Sequence, residues 1–281
     1  MRKILLLSRP RFWVYLIGPF FLTFATLTSP EAISLNLIIF FLYFSFPANF
    51  LVYGVNDLYD KDTDSFNEKK LNYETSMSNS STKDKTIENI IFATNILFII
   101  YGLIFLSSLS IFFLLLFVLF AHQYSAPPLR AKAIPFLDSI VSGILYILPF
   151  FVSWGIVYNH LPPLWPTLAA IIWSVAMHAY SAVPDINADT QAGIKTGATI
   201  LGKNNMLFLC GTLFVVASII SIPYLGLFSY LIGLTYATLI VLSVIENTPE
   251  ATMKYYKMFP LVNTLIGGII FILALYQNLF T

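Results

Sequence analysis

The stretch of sequence that decides the fold is residues 33–64, ISLNLIIFFLYFSFPANFLVYGVNDLYDKDTD. It starts as an apolar run over 33–55 and ends in aspartates at positions 57, 60, 62 and 64. A helix needs roughly 20 residues to cross a hydrocarbon core about 30 Å thick, and the apolar run is long enough to do so. The stretch therefore predicts a membrane-spanning helix with an acidic site at its end.

The rest of the chain repeats this apolar pattern. Of 281 residues, 58% are hydrophobic and 10% are charged, whereas a soluble domain carries about 25% charged residues. This composition excludes an ordinary soluble domain and predicts an all-α, polytopic membrane protein in which residues 1–281 form one domain. The first run is expected to be a retained span, because it lacks a small-residue cleavage site. We predict about nine transmembrane helices, near 12–29, 33–55, 87–107, 109–124, 136–158, 164–184, 204–222, 226–245 and 258–278.

The basic residues predict the orientation. All 15 Lys and Arg residues precede the first predicted span or follow spans two, four, six and eight. Short cytoplasmic loops are enriched in these residues, so we predict a cytoplasmic N-terminus and a C-terminus on the opposite side of a bacterial or archaeal cell membrane. Of the 14 acidic residues, only Glu31 falls in a loop on the opposite side. We therefore expect the active site at the cytoplasmic face.

The first acidic cluster is predicted to form a metal-binding face. If the helix over 33–55 continues through the cluster, Asp57, Asp60 and Asp64 are spaced i, i+3 and i+7 and share one face. Asp62 would point elsewhere. Three carboxylates on one face attract a hard cation.

The second cluster, YSAVPDINAD at 180–189, places Asp185 and Asp189 one helical turn apart. Mg²⁺ commonly takes one or two carboxylates together with substrate phosphates and waters, so two such clusters suit magnesium ions that bridge one diphosphate. Zinc would prefer His and Cys ligands. We predict Asp57, Asp60, Asp64, Asp185 and Asp189 as catalytic, metal-binding residues.

Basic and aromatic partners are also needed. Five carboxylates and a diphosphate carry more negative charge than two Mg²⁺ offset, and the cations expected within reach are Arg130, Lys132 and Lys195. Tyr124 and Tyr180 are the aromatic candidates for substrate contact, because rings stabilise carbocations by cation–π attraction. The three histidines are scattered in sequence, and we assign them no role.

These motifs resemble the UbiA superfamily of intramembrane prenyltransferases. The family pattern N-D-x-x-D-x-x-x-D matches Asn56, Asp57, Asp60 and Asp64, and D-x-x-x-D matches Asp185 and Asp189. The resemblance implies nine helices around a central cavity, a Mg²⁺-diphosphate site that includes Asn56, and a side opening to lipid. The segments SRPRFWVYLIGP and SAVPDINADTQAGIKT look most like the lycopene elongases, the carotenoid-modifying branch.

The hypothesis is therefore a prenyltransferase that moves a prenyl group from an allylic prenyl diphosphate to a lipid-soluble acceptor, with membrane lipid around it and no nucleic-acid partner. The acceptor is either lycopene, or another carotenoid, or an aromatic quinone precursor. A diphosphate-using cyclase, a scaffold and an ion-coupled transporter are the alternatives. A transporter would need its carboxylates near mid-membrane, whereas these aspartates lie at predicted helix ends.

Overall fold

The computed structural model describes residues 2–60, 84–246 and 248–280. Within these ranges the chain forms α-helices and short 3-10 turns, without a β-strand. The α-helices, numbered in chain order, are α1 (Arg2–Leu7), α2 (Val14–Leu22), α3 (Leu35–Ser45), α4 (Pro47–Tyr59), α5 (Asp84–Phe105), α6 (Ser108–Ser125), α7 (Leu137–Tyr158), α8 (Leu164–Ser181), α9 (Ile186–Gln191), α10 (Gly197–Leu225), α11 (Leu227–Glu246) and α12 (Pro249–Phe280).

The all-α membrane architecture is confirmed. Seven helical stretches of the described chain are long and apolar enough to cross a membrane, and helices occur in all nine ranges predicted from the sequence. The count of nine spans stays a prediction. The seven stretches are Leu35–Tyr59, Lys85–Phe105, Ser108–Ser125, Leu137–Tyr158, Gly197–Leu225, Leu227–Glu246 and Glu250–Asn278.

Two of the predicted ranges are less regular than expected. The first contains α2 and then a 3-10 turn over Thr23–Thr26. The second is divided into α3 and α4 at Phe46, because Pro47 cannot donate a helical hydrogen bond but fits the first position of a new helix. The helix predicted to continue through Asp64 also ends early, since α4 stops at Tyr59 and Asp60 leaves helical geometry.

The helices pack closely around a central space. α7 packs against α2, α6 and α8, while α10 packs against α8 and α11, and α12 returns to α2. Gly143 of α7 allows one close approach, because a Cβ there would lie 2.8 Å from the backbone nitrogen of Val175 in α8. A buried hydrogen bond of the kind that a membrane interior favours joins α3 to α5: the Tyr43 hydroxyl donates to Asn95 Oδ1 at 2.8 Å.

Candidate active site

The space inside the bundle is a cavity of about 690 Å³ with chemically different ends. Its charged end is formed where α4, α6 and α8 finish and where α7 and α10 begin. Other parts of the cavity are lined by apolar and aromatic side chains, among them Phe21, Leu22, Leu225 and Phe271. Phe21 and Phe271 stack with ring centroids 4.8 Å apart. Such a cavity suits a molecule with a charged head and a long apolar tail.

Asp60 is the centre of the first half of the charged end. Its side chain is only 2% exposed, and Lys132 is paired with its Oδ1. Asn56 Nδ2 donates to Asp60 Oδ2 at 2.6 Å and to Ser125 Oγ at 3.1 Å. Arg130 lies farther away, with Nη2 3.9 Å from Asp60 Oδ1. The loop after α6 thus delivers two cations to the end of α4.

Asp57 has a different partner, which the sequence did not reveal. Arg9 Nη2 donates to Asp57 Oδ1 at 2.7 Å, and the side chains are 6% and 0% exposed. The Arg9 guanidinium also lies over the Tyr53 ring, 4.9 Å from its centroid. Arg9 lines the cavity, whereas Asp57 lies behind it. A charge pair this well buried ties the segment before α2 to the end of α4.

Asp185 and Asp189 form the second half of the charged end. Asp185 immediately precedes α9, and the Asp189 amide donates to the Asp185 carbonyl oxygen at 2.8 Å, so the two are one helical turn apart as predicted. Both side chains line the cavity that Asp60 and Lys132 also line. The structure therefore brings Asp60 of the first acidic cluster and both aspartates of the second to one end of one cavity.

Asp138, in the first turn of α7, is a fourth cavity carboxylate and was missed by the sequence analysis. It is 1% exposed, accepts a hydrogen bond from Ser139, and receives the Gly197 backbone N–H at 3.4 Å. That N–H belongs to the start of α10, where the helix dipole favours a negative charge. In the sequence, Asp138 is marked by being the one acidic residue in the otherwise apolar span predicted over 136–158.

The other predicted residues divide into two groups. Tyr124 lines the cavity and hydrogen-bonds to His178, a histidine to which no role was assigned. Tyr180 instead packs in the protein interior, with its hydroxyl 2.7 Å from Ser243 Oγ, and does not line the cavity. Lys195 is exposed, although its neighbours Ile194 and Thr196 line the cavity. Asp64 lies outside the described residues.

The donor chemistry at the charged end fits magnesium. Four of the described cavity-lining side chains are acidic and two, Arg9 and Lys132, are basic, so the apolar cavity ends in an excess of negative charge. Carboxylate oxygens are the ligands that Mg²⁺ prefers. Within the described ranges, no three His, Cys, Asp or Glu side chains are gathered closely enough to hold a metal ion by themselves.

Fold and site together define a class of protein: an integral membrane protein whose bundle encloses a cavity with a charged end and an apolar end. The model of the UbiA prenyltransferase family matches residues 16–247. The chain belongs to this family and is a prenyltransferase. It is 37% identical to the lycopene elongase/hydratase of Haloarcula japonica over 281 residues, which cover 99% of this chain and 92% of that protein. It is 35% identical to the lycopene elongase/hydratase of Halobacterium salinarum, over 95% of this chain and 94% of that protein. These likenesses confirm the resemblance to the carotenoid-modifying branch.

Solved structures show the same fold. A UbiA homolog from Archaeoglobus fulgidus is similar with a TM-score of 0.75 and 19% identity, covering 98% of this chain and 99% of that one. The structure described as that homolog bound to DMAPP and Mg²⁺ is similar with a TM-score of 0.73 and 18% identity, over the same shares of the two chains.

We expect the buried Arg9–Asp57 ion pair to stabilise the fold. Replacing Arg9 by Met should remove a buried cation from the Asp57 carboxylate and cost about 3–5 kcal/mol of the free energy of unfolding. The measurement is thermal or denaturant unfolding in detergent, followed by tryptophan fluorescence.

The double variant Arg9→Met/Asp57→Asn is the matched comparison. It removes both charges and should recover most of the lost stability, because the cost comes from the uncompensated charge. Equal stability of wild type and Arg9→Met would show that the pair does not support the fold.

Proposed function

We propose that the protein transfers a prenyl group, with Mg²⁺, from an allylic prenyl diphosphate to a lipid-soluble acceptor. The observation that carries the proposal is one cavity with carboxylates and cations at one end and an apolar length behind them. A prenyl diphosphate has the same division between head and tail. Solved relatives described as bound to GPP or DMAPP with Mg²⁺ support it further. Residues 1–281 act as one domain in this proposal.

The diphosphate head would occupy the charged end. Asp60, Asp185 and Asp189 are the proposed Mg²⁺ ligands that line the cavity, and Asp57 and Asp64 complete the set predicted from the first motif. When bound, Mg²⁺ neutralises the charge that grows on the departing diphosphate. Lys132, Arg130 and Arg9 add positive charge at the same end. Asn56, which donates hydrogen bonds to Asp60 and Ser125, would contact the head group.

The chemistry begins with ionisation of the donor. The bond between the allylic carbon and the diphosphate oxygen breaks, its electron pair leaves with the diphosphate, and an allylic carbocation remains. Cations fixed at the charged end stabilise the departing anion without having to reorganise. Tyr53, Tyr146 and Tyr124 line the cavity beside that end, and their ring faces stabilise the carbocation by cation–π attraction. The apolar walls keep out water that would capture it.

The proposed acceptor is lycopene or another carotenoid. Its terminal alkene would attack the allylic cation, so that a carbon–carbon bond forms and the positive charge moves to the acceptor. The relatives named lycopene elongase/hydratase, at 32–37% identity over nearly the whole chain, favour this acceptor. The site is proposed to face the cytoplasm of a cell membrane, with the N-terminus on the same side, because the basic loops lie there.

Neutralising one carboxylate in either cluster tests the donor site. Asp60→Asn and Asp185→Asn should each abolish prenyl transfer from a labelled allylic diphosphate in isolated membranes, since the metal and diphosphate lose a charged ligand. Glu88→Gln, an exposed acid on α5, is the control and should keep wild-type activity. Full activity in either aspartate variant would contradict the two-cluster site.

Metal removal tests the cofactor separately. EDTA should stop prenyl transfer in wild-type membranes, and added Mg²⁺ in excess of the chelator should restore it. The readout is the labelled lipid product. Unchanged turnover in chelator would remove magnesium from the proposal.

The acceptor is tested by expression in a lycopene-producing host. Pigment mass analysis should show carotenoids heavier than lycopene by one or two C5 units, and the Asp60→Asn variant should not produce them. No gain in pigment mass, with prenylation of an aromatic quinone precursor in the same membranes, would favour the second acceptor class.

A further inference from the structure

Tyr124 and His178 form a hydrogen-bonded pair at the charged end of the cavity, and the proposed function uses the ring face of Tyr124 but neither its hydroxyl nor His178. Tyr124 is in the last turn of α6 and His178 is in the last turn of α8, 54 positions apart in sequence. The Tyr124 hydroxyl oxygen lies 3.0 Å from His178 Nε2. The rings are perpendicular, with centroids 5.6 Å apart, so the hydroxyl meets the edge of the imidazole.

Acidic side chains surround this pair. The carboxylates of Asp138, Asp60 and Asp189 lie within Coulombic range of Tyr124, and they attract a positive charge on the neighbouring imidazole. Lys132 and Arg9, the cavity's cations, lie against Asp60 and Asp57. Among the described residues that line the cavity, His178 is the one side chain that ordinarily titrates near neutral pH.

Prenyl transfer to an alkene or an aromatic ring must release one proton. Attack on the allylic cation leaves a positive charge on the acceptor. That charge is resolved by loss of a proton from an adjacent carbon, or by addition of water, which then loses a proton. In either route the electron pair of the broken C–H or O–H bond stays with the product.

We propose that Tyr124 and His178 are the acceptor of this proton, an inference that rests on the proposed function. The tyrosine oxygen takes the proton from the product cation while its own hydrogen moves to His178 Nε2, in the tautomer protonated at Nδ1. The result is a neutral tyrosine and an imidazolium. The carboxylates at the same end stabilise the imidazolium until the proton leaves with the diphosphate or with water.

The position of the pair suits this step better than donor binding. Tyr124 lies beside Tyr146 and Asp138 on the cavity wall, where the acceptor and the reacting carbon would meet. The cations that would hold the diphosphate are Lys132, Arg130 and Arg9. A neutral tyrosine and a neutral histidine add little to the binding of the diphosphate. They do supply a base in a place from which bulk water is excluded.

The experiment separates ionisation from product formation. Tyr124→Phe keeps the ring and removes the hydroxyl, and His178→Gln keeps hydrogen bonding and removes the basic nitrogen. Wild type, the two variants and their double variant are incubated as membranes with a labelled allylic diphosphate, with lycopene and, separately, with an aromatic quinone precursor. Diphosphate release, prenylated product and the ratio of hydrated to dehydrated product are measured. Tyr101→Phe and His160→Gln, which lie outside the cavity, are the matched controls.

In each variant, the amount of prenylated product should fall about a hundredfold, as for a lost acid–base group. The rate of diphosphate release should stay within about threefold of the wild-type rate, with the label recovered as the free prenyl alcohol. The residual product should have an altered ratio of hydrated to dehydrated forms. The double variant should lose no more than either single variant, because the residues act as a unit.

Two results would contradict the proposed role of Tyr124 and His178 as the proton acceptor. One is product of wild-type amount and ratio in the variants. The other is a proportional fall in diphosphate release and product with a raised KM for the diphosphate, which would assign the residues to donor binding. Prenylation of either acceptor releases a proton. If the wild-type enzyme prenylates the quinone precursor but not lycopene, the result contradicts the proposed acceptor and leaves the role of Tyr124 and His178 intact. A wild-type enzyme that releases diphosphate but prenylates neither acceptor would overturn both proposals.

Discussion

Pairing of buried charges at the end of the cavity is the constraint on which the rest of the structure depends. A carboxylate taken out of water costs several kcal/mol unless a cation and further hydrogen bonds compensate it. Asp57 receives Arg9, and Asp60 receives Lys132. These cations come from the segment before α2 and from the loop after α6, so the two ion pairs tie both segments to the end of α4.

The apolar walls keep water away from the charged end of the cavity. Electrostatic interactions are stronger where water is excluded, and the same exclusion protects a reactive cation from hydrolysis. The Tyr124 hydroxyl of α6 and the Asp138 carboxylate of α7 would be ordinary polar groups on a soluble surface, but both line the cavity, where water is excluded. Binding and reactivity thus both follow from the contrast between the cavity's two ends.

Local patterns in the sequence predict much of this protein, and long-range contacts account for what they miss. Apolar runs predict where the helices lie, and the spacing of Asp185 and Asp189 predicts their shared turn. Arg9 is 48 positions from Asp57, and no periodicity joins a basic residue before one helix to an acid at the end of another. Tyr180 shows the converse, because its neighbours in sequence are at the site while its own ring faces the core.

Two helices that lie far apart in sequence, α2 and α12, are neighbours in the wall of the cavity. Asn263 of α12 donates to the Tyr15 hydroxyl of α2 at 3.1 Å, and Asn278 donates to the Leu27 carbonyl oxygen at 3.1 Å. During synthesis from the N-terminus, the early helices therefore enter the membrane with one side of the future cavity open to lipid. These contacts can form only after α12, the last helix, has been made, whereas the acids that line the cavity all precede α12 in the chain.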